Sequence, residues 1–277
     1  MTRAALIQLT SSDDPAANIA TVRDVLRDAV ADGAAFVLTP EVTNCVSASR
    51  THQREVLRRE GEDPTLAMLR EEAARAGIWC LAGSLALQAD PPEERFVNRS
   101  LLIGPAGEIA ARYDKMHMFD VQVSETETYR ESAGYAPGDR AVIADTPFGR
   151  IGLTICYDVR FPYLYRALAQ AGADILTVPS AFSPATGPMH WEPLLRARAI
   201  ECGAWVLAPA QTGAHEAARG RRRETWGHSL AVSPWGEVVA DGGTAPGTTF
   251  VEIDRAAVDD ARAKIPALTH DRAFTGP

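Results

Sequence analysis

The sequence predicts an α/β fold, one domain of layered strands with helices outside. Three observations carry this. Short β-branched or apolar runs alternate with Ala- and Leu-rich stretches of helical periodicity. Turns containing Gly and Pro separate them. The 277 residues show no internal repeat, low-complexity segment or interdomain linker, a length that suits one large core because single cores stop growing near about 250–300 residues.

Residues 5–9 read as the first strand. Residues 15–32 are helical, with Ile19, Val22, Leu26 and Val30 three or four apart. Residues 34–39 form a second strand ending at Pro40-Glu41. Residues 64–76 are helical and stop at Gly77. Strands follow at 78–86 and 96–103. The turn Gly104-Pro105-Ala106-Gly107 then leads to a strand at 108–114. Residues 141–146 and 151–155 flank the turn Pro147-Phe148-Gly149-Arg150. A helix at 162–171 carries Pro near its first turn, where a missing N–H costs little. A strand at 175–179, a helix at 191–202 and a strand at 205–210 come next. Residues 229–233 and 237–241 pair around Pro234-Trp235-Gly236. The last strand, 250–253, precedes a helix through Val258 to Lys264. The domain is expected to span 1–268, with 269–277 a tail.

Apolar residues are 46% and charged residues 23%, which is globular rather than disordered composition. With 28 Lys plus Arg and 36 Asp plus Glu, the net charge is −8. A general nucleic-acid binder needs a broad basic surface and is not expected. The Arg219–Arg223 stretch is a local exception and reads as a solvated loop. No apolar run reaches the ~20 residues of a membrane helix, and residues 1–9 carry no cleavage-site pattern, so no membrane partner and a cytoplasmic location are expected. Cys45, Cys80, Cys156 and Cys202 include no C-x-x-C pair. That argues against a zinc ribbon, a thioredoxin-like motif or a disulfide scaffold and predicts four free thiols.

Cys156 ends an apolar strand, Gly152-Leu153-Thr154-Ile155, and precedes a tight turn and a helix start. That setting exposes a nucleophile and aims backbone N–H groups at what it attacks. A buried packing cysteine is the competing reading. A nucleophilic thiol needs a base. His117, His190 and His228 stand in motif-like surroundings but lack an evident orienting partner. Glu41 is the better candidate, emerging after Pro40 at a strand's carboxyl end, where parallel sheets build sites; an ordinary solvated Glu is the alternative. Lys115, in Tyr113-Asp114-Lys115-Met116-His117, could stabilise an oxyanion or be a surface Lys. As a set, Glu accepts the thiol proton, Lys offers positive charge and thiolate attacks carbon.

Pro40-Glu41, Tyr113–His117 and Ile155-Cys156-Tyr157-Asp158-Val159-Arg160-Phe161-Pro162 stand in the order and approximate spacing of the nitrilase superfamily of carbon–nitrogen hydrolases, which the sequence resembles from Ala5 to about Asp271. Gln170–Thr177, Pro179–Phe182, His190-Trp191-Glu192, Leu195–Glu201 and Gly227-His228-Ser229 look like its Nit branch, of deaminated-glutathione amidases and ω-amidases. The loop 213–227 departs from that pattern in being longer and Arg-rich. The resemblance implies an αββα sandwich that stacks in homodimers or larger assemblies into four-layer cores. It implies Glu41 as general base, Lys115 as oxyanion stabiliser, Cys156 as nucleophile and Glu131 as a second active-site carboxylate, with Glu125 and Glu127 as nearby rivals.

The reaction so implied is hydrolysis of a small acidic amide through a thioester, with Lys115 and the Tyr157 N–H holding the oxyanion and no metal or organic cofactor. Arg160, Arg196 and the Arg219–Arg223 loop are candidate carboxylate binders, with pairing to Asp158 or Glu201 as the structural alternative for the first two. Phe182, His190 and Trp191 are candidate pocket walls; helix packing is the alternative for Trp191. The competing functions are an N-carbamoyl amine amidohydrolase using the same residues, a non-catalytic scaffold of the same fold, and a redox sensor, for which no resolving cysteine is near.

Overall fold

The structure, a computed structural model, describes residues 1–123 and 128–276. Glu125 and Glu127 lie outside the described residues. In chain order, β1 (Thr2–Gln8), α1 (Pro15–Ala31), β2 (Phe36–Leu38), α2 (Arg50–Val56), α3 (Pro64–Ala76), β3 (Trp79–Gln88), β4 (Phe96–Ile103) and β5 (Ile109–Asp114) precede a short hairpin, β6 (Asp120–Gln122) and β7 (Thr128–Arg130). Then come β8 (Val142–Thr146), β9 (Gly149–Leu153), α4 (Pro162–Gln170), β10 (Ile175–Thr177), α5 (Gly187–Cys202) and β11 (Trp205–Ala208). A second hairpin, β12 (Thr212–Ala214) and β13 (Glu224–Trp226), leads to β14 (Leu230–Val232), β15 (Val238–Asp241), β16 (Gly247–Ile253) and α6 (Arg255–Lys264).

Two six-stranded sheets form, ordered β16-β1-β2-β3-β4-β5 and β15-β14-β11-β10-β9-β8. Each is built around three parallel strands, β1-β2-β3 and β9-β10-β11, with antiparallel strands outside. Side chains alternate across a strand. Ala5, Ile7 and Val37 therefore join Val22 and Leu26 of α1 and Leu66 and Leu69 of α3 in one apolar cluster. Ala4, Leu6 and Leu38 join Leu153 and Val206 of the other sheet and Leu164 and Leu195 of α4 and α5. The layers are helix, sheet, sheet, helix. With both faces of β1 covered, its sequence shows an apolar run rather than a polar alternation.

Local chemistry sets the boundaries. Asp14 and Asp63 cap α1 and α3, accepting from Ala16 N (2.9 Å) and Leu66 N (2.8 Å). Gly77 ends α3 at φ +66°, a left-handed conformation that favours glycine. Elements missed by periodicity are α2, a seven-residue polar helix, and the two hairpins of three-residue strands, all too short to show a repeat. Strand ends read from sequence at 155, 179 and 210 overshoot, since β9, β10 and β11 stop at Leu153, Thr177 and Ala208. The helix expected from 191 begins at Gly187. Beyond α6, Asp271 accepts from Arg166 Nε of α4 at 3.0 Å. Among the described residues, no helix is long and apolar enough to cross a membrane.

Candidate active site

The segments that follow β2, β5, β9 and β10 meet in one place. After β2, Thr39 and Pro40 turn the chain so that the buried Glu41 faces inward. Ser84 of β3 fixes the turn: its N–H donates to Pro40 O at 3.1 Å, and its Oγ accepts from Val42 N at 2.9 Å. Val42 is held at φ +47°, costly for a β-branched residue. At Gly83, a β-carbon would lie 1.8 Å from Thr39 O, so only glycine lets β3 approach this closely. Cys156 opens a single turn of 3-10 helix, Cys156–Arg160, at φ +47°, with its N–H donating to Pro179 O at 3.0 Å. Strain of this kind gathers at functional positions.

Asp158 locks the Cys156 turn to the Lys115 segment. Its fully buried carboxylate accepts from Ile155 N (2.8 Å) and Tyr113 OH (2.7 Å) through Oδ2, and from His117 N (3.1 Å) through Oδ1. His117 Nδ1 also lies 2.6 Å from Oδ1.

Lys115 Nζ donates to Glu41 Oε1 and to both oxygens of Glu131, each at 2.9 Å. Glu131 follows β7 and also accepts from Phe119 N at 2.6 Å. Glu41 Oε1 accepts a second bond from Asn98 Nδ2 (2.9 Å), and Oε2 accepts from Ala181 N (2.8 Å). Burial alone would raise the Glu41 carboxyl, but the charge and hydrogen bond of Lys115 overrule it and hold it below the ordinary value. Burial likewise pulls Lys115 down, and the charges of Glu131 and Glu41 overrule it, holding the ammonium well above its usual value. Burial, then the Glu41 charge, pushes the Cys156 thiol up against the opposing pull of Lys115 and Ala181. The favoured resting state is therefore a neutral Cys156 thiol beside an ionised Glu41 and a charged Lys115.

These groups open into a cleft of about 470 Å³, walled in part by Phe119, Tyr135, Tyr157, Phe182 and Thr186. Four arginines, Arg50, Arg130, Arg221 and Arg223, also line it. Arg50, Arg130 and Arg223 form no ion pair with a described carboxylate.

Glu41, Lys115, Cys156, Glu131, Tyr157 and Phe182 thus come together. Arg160, His190 and Trp191 do not line the cleft. The Arg160 guanidinium lies 5.5 Å from the Phe182 ring and 3.2 Å from His190 Nδ1. Trp191 is buried against Phe182 (4.9 Å between rings) and donates to His228 O at 2.8 Å. Arg196 pairs with Glu192 (3.3 Å) and donates to Gly236 O, not to Glu201; Arg198 takes Glu201 instead. Arg219 and Arg222 pair with Glu55 and Glu216. The candidate histidines are engaged elsewhere, His117 with Asp158 and His228 with Asp241. Among the described residues, no group of three or more His, Cys, Asp or Glu is placed to hold a metal ion.

Sequence reasoning missed Asn98, Arg50, Arg130 and the Ala181 N–H. Asn98 did leave a signal, a polar residue inside the apolar strand Phe96–Ile103. The arginines left none, because α2 and β7 are too short to be read from periodicity.

A layered αββα sandwich whose strand ends gather a thiol, two carboxylates and an ammonium group in a cleft is built for hydrolysis. Residues 3–263 match the model of the carbon-nitrogen hydrolase family, and the chain belongs to that family. It is an amide-hydrolysing enzyme acting on small molecules. The deaminated glutathione amidase of Yersinia enterocolitica is 39% identical over 269 residues, 97% of this chain and 92% of that protein. The NitFhit protein of C. elegans superposes with a TM-score of 0.89 at 36% identity, covering 98% of this chain and 65% of that longer one. Saccharomyces cerevisiae Nit3, a member of branch 10 of the nitrilase superfamily, superposes with a TM-score of 0.85 at 28% identity, covering 99% and 97%.

Proposed function

We propose that this enzyme hydrolyses small acidic amides of the deaminated-glutathione type through a thioester on Cys156. The observation that carries the reading is the buried contact of Glu41 with Lys115 beside the Cys156 thiol. Glu41 takes the thiol proton as sulfur attacks the amide carbonyl. Lys115 and the Tyr157 N–H hold the oxyanion. Tyr157 stands in the first turn of its 3-10 helix, where N–H groups have no intrahelical acceptor. Glu41 then protonates the leaving nitrogen, and water activated by the same carboxylate releases the acid. Glu131 keeps Lys115 in place by its two-oxygen contact.

The cations at the mouth support an anionic substrate. Arg50, Arg130 and Arg223 bring charge with no carboxylate partner among the described residues to a cleft whose floor is acidic, and guanidinium groups bind carboxylates in a fork. Phe182 forms part of the apolar wall, and Trp191 packs against it. Residues 1–268 act as the hydrolase domain, with 269–277 a tail, in a homodimer or larger homo-oligomer. Four buried free thiols suit a reducing, cytoplasmic setting.

The test is turnover of a panel of deaminated glutathione, α-ketoglutaramate, succinamate, an N-carbamoyl amine and a neutral amide, with mass spectrometry of the quenched enzyme. Preference for the acidic amides and an acyl adduct on Cys156 are expected. Equal turnover of the neutral amide would overturn the substrate class, and an adduct elsewhere the mechanism.

A further inference from the structure

The mechanism leaves one buried polar group of the cleft without a task. Asn98 lies in β4 and is 2% exposed. Its Nδ2 donates to Glu41 Oε1 at 2.9 Å. An ionised carboxylate only accepts, so this contact fixes which end of the amide faces it. The other end, Oδ1, is buried and meets no donor among the described residues. A stranded buried acceptor is a net cost to the fold and calls for an explanation.

The explanation lies in how the two Glu41 oxygens are used. Each carboxylate oxygen offers two lone-pair sites. Among the described residues Oε1 fills both, with Asn98 Nδ2 and Lys115 Nζ, while Oε2 accepts the Ala181 N–H and keeps a second site toward Cys156. We propose that Asn98 is a positioning residue that, together with Lys115, saturates Oε1 so that Oε2 is the oxygen that receives the Cys156 proton. This rests on the reading of Glu41 as general base. In the attack the S–H bond breaks as the S–C bond forms. The proton moves to Oε2 and then to the leaving nitrogen, with no redox change. Asn98 touches neither the sulfur nor the substrate in this scheme. It acts by fixing the plane and the free lone pair of the base. The charged or titratable groups facing Glu41 are Lys115 after β5, Glu131 after β7 and Cys156 after β9, and all three remain when Asn98 is replaced.

The test compares full-length wild type with Asn98→Leu and Asn98→Asp, using deaminated glutathione as substrate across pH. Asn98→Leu should lose about 10- to 100-fold in kcat, the range of one charge-assisted hydrogen bond, with KM nearly unchanged. Its acid limb should move to higher pH, because Glu41 loses a donor that favours the ionised form. Its melting temperature should hold or rise, since the stranded carbonyl is gone. In Asn98→Asp the introduced carboxyl can donate to Oε1 only when protonated. Its activity should be lowest at neutral pH and recover as pH falls. If Asn98→Leu fails to fold, the pH profile of Asn98→Asp decides. A wild-type profile in Asn98→Asp, or an Asn98→Leu loss that tracks a lower melting temperature with an unmoved limb, overturns the proposal. Glu41→Gln separates the two readings. If it retains turnover, Glu41 is not the base and both readings fail. If it is inactive while the Asn98 variants behave as wild type, only the role of Asn98 fails.

Discussion

Two clusters of charge in this protein look alike in outline and differ in what they do. On the helical face, the Glu72 carboxylate of α3 is buried, and Arg23, Arg27 and Arg75 converge on it, at 3.6, 2.6 and 2.5 Å. Those arginines stay a third to a half exposed, so water relaxes their charge. In the cleft, Lys115 is buried between Glu41 and Glu131. No member is freely solvated, and the cluster lies next to a thiol. The difference lies in where the cation sits: the arginines around Glu72 keep their charge in water, whereas Lys115 is buried with its carboxylates at the floor of a cleft. A cluster with solvated partners stabilises a helix pair. A cluster whose cation is buried beside a thiol holds Glu41 below its ordinary value and the Cys156 thiol above its own.

The largest effect should come from the thiol. Cys156→Ala should cut hydrolysis at least about 10⁴-fold with a melting temperature within a few degrees of wild type. Iodoacetamide labelling followed by peptide mass spectrometry should find Cys156, which lines the cleft beside Glu41, alkylated well before Cys80 and Cys202 of the core and before Cys45, which lines the same cleft without a carboxylate base. Equal labelling of all four would remove the distinction between Cys156 and the other thiols.

Next is a direct contest between the clusters. Lys115→Met leaves the buried Glu41 and the half-buried Glu131 carboxylate facing each other, so stability should fall by about 3–5 kcal/mol and activity should vanish. Glu72→Gln removes a carboxylate whose partners are solvated, so the loss should stay within about 1 kcal/mol with kcat unchanged. Chemical denaturation and turnover of both variants check this. A Glu72→Gln variant as damaged as Lys115→Met would break the comparison.

A smaller effect separates the two by pH. The fold lowers the Glu41 carboxyl, so its contribution is complete above the unfolded value of about 4.3 and is lost as pH falls through the lower folded value. The stability gap between wild type and Glu41→Gln should be constant from neutrality down to about pH 4 and close below it. His215 supplies a control of opposite kind. Burial lowers it to about 4, so the fold favours its neutral form and stability declines as pH drops from about 6.5 toward that value. His215→Gln should remove that decline and leave the acid limb of turnover in place. The smallest effect is at the mouth, where Arg223→Gln should raise KM for an acidic amide a few-fold, about one exposed charge contact, with kcat held.

Much of the fold and of the site is legible in the chain itself. Glu41, Lys115 and Cys156 each follow a strand, and a strand's end is readable from where an apolar run meets Pro40, Asp114 or the Tyr157-Asp158 turn. The helices at 15–32 and 64–76 and the turn at 104–107 are readable because periodicity and turn chemistry are local. Arg160, His190 and Trp191 show the limit. Their motif-like company marks them for the cleft, and the fold leaves them off its lining: α5 starts at Gly187 and turns Trp191 into the core, while His190 is exposed.

The sequence by itself determined the order of the longer helices and strands, the acidic balance, the free thiols and which three residues stand at strand ends with matching chemistry, because those follow from composition and from neighbours within a few positions. Only the tertiary structure decided that Asn98 and Ala181 hold the two oxygens of Glu41, that Glu131 and Glu41 share one ammonium, and that Arg50, Arg130 and Arg223 ring one mouth. These contacts join residues 16 to 140 positions apart. Their strength depends on burial, and burial is settled by how the two sheets stack rather than by any single stretch of chain.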